Sequence, residues 1–135
     1  MTGYSGTPLA KKLGFTPPLT VWVSGAPEDY EAWLGELPAG VSLTSSSPRA
    51  VEAAHLFVSK RAVLEQRLTT LRTRLRAAGF VWVSWPKKAA KVPTDITEDT
   101  IRNVALPLGF VDIKVCAVSD VWSGLKLVIR RSERG

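Results

Sequence analysis

The chain has 135 residues, 45% of them apolar and 22% charged, with a formal net charge of +6. That balance fits one globular domain able to bury roughly two thirds of its unfolded surface, and it excludes both a disordered chain and a small scaffold held together by staples. Cys116 is the only cysteine and His55 the only histidine, so no internal disulfide and no zinc cluster of the usual ligand sets can form.

Thr7 to Gly14 reads as a short helix: Thr7 suits the N-cap, Pro8 the first helical position and Gly14 the residue just past the end. Thr16-Pro17-Pro18 then imposes an extended link. Leu19 to Ser24 (LTVWVS) is apolar on both faces, the pattern of a central buried strand. Pro27 to Leu37 predicts a helix. Glu28 and Asp29 sit at the positive end of its dipole, and Tyr30, Trp33, Leu34 and Leu37 share one face. Val41 to Thr44 predicts a short second strand, and Ser45 to Arg49 a polar loop. Ala53 to Ser59 predicts a third, buried strand. Arg61 to Ala78 predicts the longest helix, with an apolar stripe of Leu64, Leu68, Leu71 and Leu75 and with Gly79 closing it. Phe80 to Trp85 (FVWVSW) predicts a fourth strand, stopped by Pro86 and followed by a basic loop, Lys87 to Pro93. Asp95-Ile96-Thr97-Glu98 has the look of an N-terminal cap. The helix it starts is expected to reach about Leu106, turn Ile101, Val104 and Ala105 inward, and end at Pro107 and Gly109. Val111 to Val118 and Leu125 to Arg130 predict two last strands, with Trp122-Ser123-Gly124 near the turn between them. The short link makes them an antiparallel pair.

This alternation predicts an α/β fold: a three-layer sandwich whose mostly parallel sheet of about six strands carries an antiparallel C-terminal pair. Residues 1–135 form one domain, with 1–18 as an N-terminal helix and strap and 131–135 as a frayed tail. No apolar run approaches the roughly 18 residues that span a bilayer, so no membrane partner is expected. Residues 1–14 lack the apolar core of an export signal, and a lone cysteine suits a reducing compartment; the expected location is the cytoplasm.

From Ala53 onward the order resembles the tail of a class I methyltransferase fold, a reduced Rossmann-like scaffold. Strand Ala53–Ser59 is followed by a long helix ending Ala-Ala-Gly, strand Phe80–Trp85, a helix ending Gly109-Phe110, and the closing pair. The whole chain also resembles a bacterial family known only as a domain of unknown function. The matching segments are residues 3–14 (GYSGTPLAKKLG), Val83-Ser84-Trp85-Pro86-Lys87-Lys88, and Trp122-Ser123-Gly124-Leu125-Lys126-Leu127. The methyltransferase resemblance implies a glycine-rich loop after the first strand, yet Ser24-Gly25-Ala26-Pro27 offers one glycine, and Pro27 removes a backbone donor. The acid implied at the end of the second strand is replaced by Thr44-Ser45-Ser46-Ser47, and the Ser45–Glu52 loop is too short for the strand–helix unit that the resemblance implies there. These three losses lead to the expectation of no bound cofactor.

Ligands in open α/β sheets bind beyond the carboxyl ends of the strands, at the topological switch point. Ser24, Gly25, Ser59, Trp85, Lys87 and Lys88 are the candidates there, and the N-terminal segment adds Tyr4, Lys11 and Lys12 as a lid. An aromatic face beside two ammonium groups suits a small anion or a protein segment. The basic groups Arg67/Arg72/Arg74/Arg76, Lys87/Lys88/Lys91 and Arg130/Arg131/Arg134 are scattered, which favours solvated faces over a nucleic-acid interface, although the charge admits one. His55, inside an apolar strand, is expected to be half-buried and bonded to backbone. No serine stands in a G-x-S-x-G elbow. The expected function is therefore a non-catalytic binding or regulatory domain working through this crevice. The alternatives are a diverged transferase, with Ser24, Ser84 or Lys87 in a deep pocket, and a nucleic-acid binder.

Overall fold

The apolar runs pair into a single six-stranded sheet of order β2-β1-β3-β4-β6-β5 in the computed structural model, which describes residues 8–134. The strands are β1 (Leu19–Ser24), β2 (Val41–Thr44), β3 (Val51–Phe57), β4 (Leu75–Pro86), β5 (Phe110–Ala117) and β6 (Trp122–Ile129). β1 to β4 run parallel, and β6 lies antiparallel between β4 and β5. Helices α3 (Arg61–Arg74) and α4 (Glu98–Leu108) cover one face, over Leu56, Val81, Val83 and Leu125. The shorter α1 (Leu9–Lys12) and α2 (Tyr30–Leu34) cover the other, over Val21, Ala53, Phe57 and Trp82. This is the expected three-layer arrangement.

Three elements differ from their sequence pattern, each for a local reason. α2 is half the expected length, because Gly35 leaves the helix at φ 75° and Leu37 packs from outside it. α3 stops at Arg74, not Ala78: Leu75 turns extended and pairs with Val51, and a bulge precedes the Ala53–Phe80 pair. Gly79 is therefore no helix cap. A Cβ there would stand 2.8 Å from the Glu52 carbonyl, so the residue is small because two backbones meet. Trp122-Ser123-Gly124 belongs to β6; the turn lies earlier, where the Ser119 hydroxyl accepts from the Val121 and Trp122 amides at 3.1 Å.

α4 begins at a capping box of Thr97 and Thr100, and it tolerates Pro107 before ending at Gly109, φ 100°. Asp95, read as part of that cap, instead accepts the Arg61 amide at 2.6 Å and so supports the start of α3. The tail read as frayed carries a 3-10 turn at Arg131–Glu133, with Glu133 3.4 Å from Arg72.

Parallel strands in one sheet are usually joined by a crossover of a dozen or more residues containing a helix. Here residues 45–50 pass from β2 to β3, across β1, with no helix. The Trp22 indole donates to the Ser45 carbonyl and Arg74 to the Ser47 hydroxyl, which ties the loop down. Thr20 and Ser42, bonded to each other at 3.2 Å, stay exposed where apolar residues would need a helix above them. The short loop thus leaves a thin outer edge at β1 and β2.

Candidate functional site

Where β1 ends, Gly25 takes φ 74° and turns the chain away from β3. A Cβ at Gly25 would stand 2.6 Å from the Phe57 carbonyl, so both the torsion and the space demand glycine. Gly25→Ala is therefore expected to lower stability by about 1–3 kcal/mol, read by chemical denaturation, because a fixed backbone atom cannot yield. An unchanged midpoint would show that the loop relaxes freely.

Beyond that turn lies a cavity of about 490 Å³. Its walls are the β1–α2 loop (Gly25, Ala26, Pro27, Glu28), the start of α2 (Tyr30, Glu31), and the ends of β1 and β2 (Val23, Leu43, Thr44, Ser45). The size suits a small organic ligand, and the place is the carboxyl end of the strands. Val23, Leu43 and Pro27 supply apolar surface, Thr44 and Ser45 supply hydroxyls, and Glu28 and Glu31 supply carboxylates. No lysine or arginine lines it, although the chain as a whole carries +6. Among the described residues neither glutamate forms an ion pair.

Behind Tyr30 runs a buried polar chain. The Tyr30 hydroxyl lies 2.7 Å from His55 Nδ1, and His55 Nε2 lies 2.7 Å from Ser84 Oγ. All three residues are buried, and His55 stacks on Phe57 at 4.3 Å. Each ring nitrogen thus has one partner in either tautomer: whichever carries the proton donates, and the other accepts. Burial pushes the His55 imidazole down to about 3 and raises the Tyr30 phenol above its ordinary range. The chain is neutral, and it pins α2, one wall of the cavity, to β3 and β4. Ser84 and His55 have a nucleophile–base spacing, but full burial closes them to any substrate. The histidine expected to be half-buried with backbone partners is fully buried with side-chain partners.

Among the described residues expected at the site, only Gly25 lines this cavity. Ser24 accepts from Arg67 Nε at 3.1 Å, on the α3 side. The Ser59 carbonyl is taken by Thr94 Oγ1 at 2.7 Å and by the Asp95 amide. Trp85 is 8% exposed and sits in the core under α3 and α4, because it shares strand parity with Val81 and Val83. Lys87 gives its amide to Val121, and Lys88 opens an exposed 3-10 turn, Lys88–Ala90. Lys11 is exposed and Lys12 half-buried on α1. Tyr4 lies outside the described residues. The sequence places the crevice between the first and third strands, and its candidates do not include Glu28, Tyr30, Glu31, Thr44 and Ser45, which line this cavity. Acids at the start of a helix in a basic chain were the available signal.

No protein-family model and no curated protein matches the chain. Solved structures do. A SAM-dependent methyltransferase from Aquifex aeolicus is similar at TM-score 0.61, with 12% identity over 90% of this chain and 87% of that one. A ribosomal protein L11 methylase from Lactobacillus delbrueckii subsp. bulgaricus is similar at 0.57, with 14% identity over 91% and 78%. A TehB-like SAM-dependent methyltransferase from Corynebacterium glutamicum is similar at 0.55, with 8% identity over 95% and 90%. At such identities the likeness is one of fold alone: the chain has the α/β, methyltransferase-like fold, with its mostly parallel sheet and antiparallel C-terminal pair.

Proposed function

We propose that this chain is a diverged transferase-type scaffold that works as a binding domain for a small, amine-bearing organic molecule, seated in the cavity between the ends of β1 and β2. The observation that carries this is the contrast of charge. The cavity of a strongly basic chain presents Glu28 and Glu31 without a basic neighbour in its lining. A ligand ammonium would meet these carboxylates, a hydroxyl would meet Ser45, and its apolar part would lie on Val23 and Leu43. This reading differs from the expectation of a small anion at Trp85, Lys87 and Lys88, which do not line the cavity.

The second reading is a transferase that still uses the sulfonium donor SAM, and the fold of the neighbours favours it. The residues present do not fit that donor in the manner of the fold. The lone glycine of the loop is spent on the approach to Phe57, Pro27 has no N–H, and the Thr44 hydroxyl accepts from the Ser46 amide at 3.2 Å in its own turn. No carboxylate stands at the end of β2 to take a ribose diol.

A thermal-shift series separates the readings. Spermidine, agmatine and an amino-nucleoside are expected to raise Tm with the logarithm of their concentration above Kd, by the equivalent of about 2.7 kcal/mol at a hundred-fold excess. Glu28→Gln/Glu31→Gln should abolish the rise. A shift produced by S-adenosylmethionine and S-adenosylhomocysteine alone would establish the second reading instead. No shift with any of them would overturn both.

A further inference from the structure

At the other edge of the sheet, on the face that carries α1, two lysines stand directly opposite each other. Lys114 on β5 and Lys126 on β6 are antiparallel register partners. Side chains so placed have Cβ atoms about 5 Å apart, and like charges there oppose pairing. Lys126 has little room to turn away. Its Nζ lies 4.4 Å from the Phe80 ring centroid and 5.9 Å from that of Trp82, under the end of α1, where a Cβ on Gly14 would come within 3.5 Å of it.

Neither lysine forms an ion pair among the described residues. The nearest acid along β5, Asp112, is committed to Arg102 at 3.0 Å. Burial raises the Cys116 thiol, while the charges of Lys12 and Lys114 pull it down. Burial, and then the Lys114 charge, hold the Lys126 ammonium below its ordinary value.

We infer that Lys114 and Lys126 form a phosphate-binding site on the β5–β6 edge that takes the dianionic phosphate of a small phosphomonoester. Lysine binds phosphate as a point charge, and two ammonium groups match a dianion better than a carboxylate. The aromatic floor of Phe80 and Trp82 excludes water from one side of Lys126, which strengthens its attraction for the anion. The site is separate from the β1–β2 cavity and does not rest on the reading of that cavity.

Isothermal titration with inorganic phosphate and with glycerol 3-phosphate, at ionic strength fixed by chloride, tests this. Saturable binding is expected for both. Lys114→Gln should weaken it at least about ten-fold, the loss of one charge-assisted contact. Lys114→Glu should abolish it while raising the Tm of the free protein, because it turns a repulsive pair into an attractive one. Equal titrations for the wild type and Lys114→Gln, or no saturable heat, would overturn the site. So would a single-stranded oligonucleotide that displaces glycerol 3-phosphate and whose affinity falls steeply with salt, since a polynucleotide backbone would then be the partner.

Discussion

Between pH 7 and pH 4 the protein is expected to lose about 3 kcal/mol of stability through His55 alone. The native imidazole is held down to about 3 by complete burial. In the unfolded chain it titrates near 6.5, its ordinary value. Over that interval the unfolded state binds a proton that the native state refuses. Stability therefore falls as pH falls from about 6.5 towards 3, and above 6.5 the group contributes no slope. Denaturant titrations at half-unit steps of pH would show the loss.

His55→Leu should flatten that slope while lowering stability at pH 7, because Tyr30 and Ser84 are each left buried without a partner, at roughly 1–3 kcal/mol apiece. Adding Tyr30→Phe and Ser84→Ala should return most of that loss, since an all-apolar trio leaves nothing unsatisfied. A slope unchanged in His55→Leu would mean that other groups set the acid limit.

Trp82→Ala is expected to cost about 3–5 kcal/mol. Trp82 is the largest fully buried side chain, central on β4. It also donates its indole N–H to the Leu13 carbonyl at 2.8 Å, which fastens the end of α1 to the sheet. Trp82→Phe separates the two roles. It keeps most of the buried area and should cost about 1–2 kcal/mol. It should also release α1, so that the Leu13, Gly14 and Phe15 amides exchange faster than the global loss accounts for. Those amides bond to Leu9, Lys11 and Ala10 within the same turn. Unchanged protection there would show that apolar packing alone holds α1.

The sheet and its two antiparallel strands are legible in the sequence because each strand is an apolar run bounded by proline, glycine or polar turns. The stripe of Leu64, Leu68 and Leu71 is legible for the same reason, and all three are fully buried. The crevice is less legible. In Phe80–Trp85 almost every residue is apolar, so the pattern does not tell which of them face α3 and which face α1. The structure resolves it: Trp85 follows Val81 and Val83 under α3, and Ser84 follows Trp82 to the other side. The Tyr30–His55–Ser84 chain depends on three elements separated by 25 and 29 residues, and no local pattern announces it. Glu28 and Glu31 have a sufficient local explanation at a helix start, which hid their place on a cavity wall. Gly79 shows a similar limit: its position after a helix suggested a cap, but the constraint comes from Glu52 on the neighbouring strand.

The loop joining β2 to β3 has a clearer reading. Its shortness was visible as a missing strand–helix unit, and the structure shows how the sheet accommodates it, through Trp22, Arg74 and the exposed Thr20–Ser42 pair. The same thinness at that edge leaves Thr44 and Ser45 at the rim of the cavity.

The most direct test of the cavity as the functional site is amide chemical-shift mapping during titration with spermidine at physiological salt. Saturable shifts should concentrate on Val23, Gly25, Ala26, Glu28, Tyr30, Glu31, Thr44 and Ser45, and they should vanish in Glu28→Gln/Glu31→Gln. Shifts spread over exposed acids such as Glu65, Asp99 and Glu133, and insensitive to that substitution, would contradict the assignment.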